Sequence, residues 1–84
     1  MKKTVQDNTK VGALIELAEK HAANVNRDAR FQSSATASLE DARLCYRSGR
    51  LYFAVLRATD SLRYSVGVFH EDYKVAVSIL KGMA

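Results

Sequence analysis

Three features of the 84-residue sequence predict an all-α fold: it has no proline, only four glycines, and apolar residues that return at three- and four-residue steps. The expected architecture is an antiparallel helical hairpin or a three-helix bundle with a long C-terminal helix, completed by dimerisation. Residues 1–8 read as a flexible N-terminus, followed by helices over about residues 9–30, 34–48 and 50–81.

The first helix is placed near Thr9 because Asp7, Asn8 and Thr9 offer side-chain oxygens to the unpaired amides of an opening turn. Val11, Ala18 and Val25 recur every seven residues, with Leu14, Ala22 and Ala29 beside them, so one apolar stripe runs along it. Glu16 and Lys20 form a favourable pair one turn apart. Around Asn24, Asn26, Ser33 and Ser34 the side chains compete for backbone hydrogen bonds, which favours a break with Ser33, Ser34 or Ser38 capping the next helix. That second helix aligns Ala35, Leu39, Ala42 and Tyr46, with Arg47 in its last turn and Gly49 as its left-handed terminator.

The third helix has the most regular pattern: Leu51, Val55, Ala58, Leu62, Val66, Phe69, Tyr73, Ala76 and Leu80 step by 4, 3, 4, 4, 3, 4, 3 and 4. One uninterrupted helix there would be about 45 Å long, with Gly67 weakening it by ~1 kcal/mol. The valines, aromatics and Ile79 of residues 64–69 and 73–80 also suit a β-hairpin. Its turn would fall at Glu71 and Asp72, where no glycine or asparagine supplies the positive φ of a tight hairpin, so helix is preferred.

With 48% hydrophobic and 26% charged residues, the chain is too apolar for a disordered tail and too interrupted by charge for a membrane span. Its length suits one domain, residues 1–84. A lone cysteine, Cys45, cannot form an internal disulfide and reads as core filler in a reducing compartment. Glu16 and Glu19 interrupt the only apolar stretch that follows Lys2 and Lys3, so no signal peptide is expected and a cytoplasmic location is.

Alanine supplies many inward positions, namely 18, 22, 29, 35, 42, 54, 58 and 76, and each buries little area. A thin core and one overlong helix point to a homodimer, with Leu62, Val66, Phe69, Tyr73 and Leu80 as the self-association surface.

Charge is the other asymmetry. Between Arg43 and Arg63 stand five arginines against one acid, Asp60, with Tyr46, Tyr52 and Phe53 interleaved. Arg43, Arg47 and Arg50 gather at the turn between the second and third helices and are the candidate phosphate-binding residues, since a guanidinium grips phosphate in a fork and aromatic rings stack on bases.

Arg63 and His70 have six residues between them. This spacing resembles the R-x4-6-H motif of HEPN ribonuclease domains, helical bundles that act as dimers. The resemblance implies His70 as the acid/base and Arg63 as the phosphate stabiliser. Ala42, Gly49, Leu51, Ala54 and Leu62 are similar to the small, turn and hydrophobic positions of a tetratricopeptide helix pair. That resemblance implies an antiparallel helical hairpin; Ser38 and Ala58 stand where the repeat has large side chains.

His21 with Glu16 or Glu19, and His70 with Glu71 or Asp72, do not have the same-face spacing of a zinc pair, so no metal site or cofactor is expected. No phosphate loop, dinucleotide fingerprint or serine elbow occurs. The sequence is therefore read as a non-enzymatic helical interaction or assembly module with an unidentified protein partner. A nucleic-acid-binding accessory protein is the alternative, and a HEPN-like ribonuclease the more distant one.

Overall fold

The computed structural model describes residues 2–25 and 28–83, with side chains from Thr9 onward. Among these residues are four helices, α1 (Lys2–Ala22), α2 (Ala29–Arg47), α3 (Leu51–Ser65) and α4 (Glu71–Met83), and no strand. The all-α expectation holds. The β-hairpin alternative is excluded, because residues 64–69 and 73–80 contain parts of α3 and α4.

Helix α1 starts at Lys2, so residues 2–8 are helical rather than a flexible N-terminus. Nothing in this stretch breaks a helix, and extending one costs far less than nucleating it. The first break comes earlier than expected, after Ala22 instead of near residue 30. Asn24 Nδ2 donates to the Lys20 carbonyl at 3.4 Å, the kind of side-chain competition that ends a helix. The cap of α2 is Asp28, not a serine: its carboxylate accepts from the Arg30 amide at 3.2 Å. Ser33, Ser34 and Ser38 lie inside the helix.

Gly49 does end α2 as expected, at φ 78°. The Arg50 amide donates to the Cys45 carbonyl at 2.8 Å and the Gly49 amide to Tyr46 at 3.2 Å, the paired bonds of a left-handed helix terminus.

The third helix differs most from the expected one. No single helix covers residues 50–81: α3 stops at Ser65 and α4 begins at Glu71. The cause is Gly67, which adopts φ 93° and sends its amide back to the Leu62 carbonyl at 3.2 Å. His70 then caps α4. Its carbonyl accepts from the Lys74 amide, and its Nδ1 accepts from the Asp72 amide at 3.0 Å.

Helix α3 is the centre of the fold and packs on α1, α2 and α4. Its inward face carries Ala54, Val55, Ala58, Ser61, Leu62 and Ser65, mostly small residues that let neighbouring helices approach closely. The buried Ser61 hydroxyl donates to the Ala35 carbonyl at 2.8 Å, binding α3 to α2, and Arg57 reaches Asp41 at 3.9 Å on the same seam. These contacts make α2 and α3 antiparallel. Val11, Leu14 and Ile15 of α1 and Leu39 of α2 supply the larger core side chains, and Ala76 is the buried contribution of α4. Of the expected inward alanines only Ala29 is exposed, because it opens α2 instead of closing α1.

Candidate functional site

The last turn of α1 and the first turn of α4 meet, and their polar ends meet with them. His21 lies at the C-terminal end of α1, where a helix dipole favours basic groups; Asp72 lies in the first turn of α4, where it favours acidic ones. His21 Nε2 donates to Asp72 Oδ2 at 2.7 Å, a link between residues 51 positions apart. His70 Nδ1 stands 3.9 Å from the same carboxylate oxygen. The two imidazoles contact edge to face, with centroids 5.2 Å apart. All three residues can present a ligating atom within 4.8 Å of one another. Hydrogen bonding assigns the tautomers: His21 carries its proton on Nε2, which faces a carboxylate, and His70 on the nitrogen that does not accept from Asp72. Spacing within one helix cannot reveal this cluster. The signal that could have found it is a basic helix end and an acidic helix start on two helices that share α3 as a neighbour.

The arginine-rich turn is divided by ion pairing. Arg43 is held by Glu19 of α1, and it lines a shallow depression with Glu40, Leu44 and Arg47. Arg57 is shared between Asp41 and Asp60, and the Arg63 guanidinium lies 5.5 Å over the Tyr64 ring. Arg47 and Arg50 are exposed and form no ion pair among the described residues. Beside them Tyr52 and Phe53 are also exposed, their rings in edge contact at 5.6 Å. Tyr46 leans on α1, its hydroxyl only 3.0 Å from where a side chain on Gly12 would begin.

The expected self-association residues part company. Leu62 has no accessible surface, so its burial inside the chain removes it from that set. Val66, Tyr73 and Leu80 are partly buried against the core. Phe69 is 88% exposed. It was the member of the regular stripe that fell in the break, and it lost its helical neighbours there. Between α1 and α4, Ala13, Leu14, Leu17, Val75 and Ile79 line an apolar cleft of about 200 Å³ with Lys10 at its edge.

The helix break also separates Arg63 from His70. One lies in the last turn of α3 and the other caps α4, so the two residues of the HEPN-like spacing belong to different elements. Comparison of the chain with known protein families, curated proteins and solved structures returned no match. Among the described residues no helix is long and apolar enough to cross a membrane.

Proposed function

We propose that this chain is a non-catalytic helical assembly module that pairs with a second copy of itself through the flank formed by α1 and α4. The observation that carries the reading is the apolar cleft between them, where Val75 is 49% exposed and the lining is almost wholly hydrocarbon. Shape supports it. The radius of gyration, 11.9 Å, is that of a compact chain of this length, about 12 Å. Yet the accessible surface of 5610 Å² exceeds the about 5000 Å² usual for this mass. The elongated shape, 42 × 24 × 18 Å, contributes to that excess, and a standard interface removes about 800 Å² from each partner.

A second copy fits this flank better than the other exposed apolar region, around Leu44, Tyr52 and Phe53. There two exposed arginines, Arg47 and Arg50, flank the patch, against the single Lys10 at the edge of the α1–α4 cleft, and like charges across an interface oppose association. Sedimentation equilibrium at micromolar concentration tests the reading: the expected mass is twice 9.3 kDa, and a single 9.3 kDa species throughout contradicts it. Melting temperature should also rise with protein concentration, because mass action couples folding to assembly.

One observation favours a second reading, binding of single-stranded nucleic acid: Arg47 and Arg50, without acidic partners among the described residues, stand beside the exposed Tyr52 and Phe53. With Arg43 committed to Glu19, two phosphate contacts remain, and a log–log salt slope near −1.4 is expected for an oligonucleotide. Fluorescence anisotropy with no binding at low salt removes this reading.

A further inference from the structure

The geometry points to a divalent-metal site of the zinc class built from His21, His70 and Asp72. The three side chains come from two stretches distant in sequence and converge at one end of the α1–α4 cleft, each offering an atom within 4.8 Å of the others. Two imidazoles and one carboxylate form the borderline nitrogen and oxygen set that zinc, cobalt and nickel prefer, whereas magnesium and calcium sites are built from oxygen.

The distances suit such an ion. Bonds of about 2.0–2.1 Å at tetrahedral angles place neighbouring ligand atoms about 3.3 Å apart. His21 Nε2 and His70 Nδ1 stand 2.7 and 3.9 Å from Asp72 Oδ2, on either side of that value. Seating an ion therefore asks for adjustments of roughly half an ångström relative to Asp72 and of up to about 1.5 Å between the two imidazole nitrogens, which lie within 4.8 Å of each other. Side-chain exposures of 22%, 30% and 42% for His21, Asp72 and His70 leave a path for a hydrated ion and room for those movements.

Two hydrogen bonds are exchanged on binding. His21 gives up its Nε2 proton bond to Asp72 and takes the tautomer protonated on Nδ1. His70 turns its Nδ1 lone pair from the Asp72 amide to the metal, and that amide, in the first turn of α4, passes to water. Three protein ligands leave a fourth position for water, and the ion pins the end of α1 to the start of α4. The site lies within one chain, so it stands or falls separately from the proposed dimer.

The test uses the untagged full chain after treatment with a chelator, titrated with zinc alone by calorimetry and with cobalt by visible absorption. The expected result is one zinc per chain, a tetrahedral cobalt spectrum, and a melting temperature higher by about 6–11 °C when free zinc is tenfold above Kd. His21→Ala and Asp72→Asn should each weaken binding at least tenfold, while Cys45→Ser leaves it unchanged. His21→Ala is chosen over the cap residue His70 so that α4 keeps its N-terminal hydrogen bond, and circular dichroism checks that the helices remain. No zinc binding by the unsubstituted chain overturns the site. So does binding that survives His21→Ala and Asp72→Asn, or that disappears with Cys45→Ser.

Discussion

The two sides of α3 are built differently. Toward α2 the seam is closed: Ala35, Ala42, Ala54 and Ala58 are fully buried, the Ser61 hydroxyl bonds across it, and Arg57 spans it at the surface. Toward α1 the core is filled by Val11, Leu14, Ile15, Ala18 and Ala22, but of α4 only Ala76 is buried among the described residues, an apolar cleft stays open between α1 and α4, and His21 ties to Asp72 at one end. Small residues therefore serve two purposes in one chain. Facing each other they seal α2 to α3. Alone on α4, an alanine lets the helix rest on α3 while its longer side chains remain partly uncovered.

Substitutions in the fully buried face of α3 should be the most damaging. Leu62→Ala is expected to lower stability by about 3 kcal/mol in urea denaturation, since Leu62 is fully buried and its neighbours are too small to collapse into the space. Next is Gly67→Ala, which forces a side chain into φ 93° and should cost about 1–2 kcal/mol, undocking α4 without disturbing the α2–α3 pair. Amide exchange can separate the two, with α4 losing protection first.

The reach of the sequence follows the same division. The inward alanines of the closed side and the turn at Gly49 could be read from spacing, because the helical period and a left-handed glycine terminator are local rules. The break at Gly67 could not. Val66 and Tyr73 remain seven residues apart across the connection, so α4 re-enters in phase and the stripe looks continuous; only the exposed Phe69 betrays the gap. The arginines were legible as a charge excess, but Arg43 and Arg57 are balanced by Glu19 and Asp41 from other helices, which spacing does not encode. The His21, His70 and Asp72 cluster depends on α1 and α4 meeting, a tertiary fact joining positions 51 apart.

Smaller effects sharpen the contrast. Ser61→Ala removes one buried hydrogen bond from the closed seam and should cost about 1 kcal/mol. His21→Ala, without metal, removes the partly exposed tie of the open flank and should cost about 0.5 kcal/mol, also by urea denaturation. If His21→Ala proves the costlier of the two, the open flank is a structural seam in its own right.

If the open flank is the face that meets a second copy, sedimentation equilibrium of two paired variants will separate it from the arginine-rich turn. Ala13→Arg with Val75→Arg places charge in the α1–α4 cleft at exposed positions; Leu44→Arg with Phe53→Arg does the same at the arginine-rich turn. The first pair should give a 9.3 kDa monomer and the second a dimer of twice that mass, with helix content unchanged in both. A dimer that survives the cleft substitutions, or one lost only through Leu44 and Phe53, contradicts pairing through the open flank.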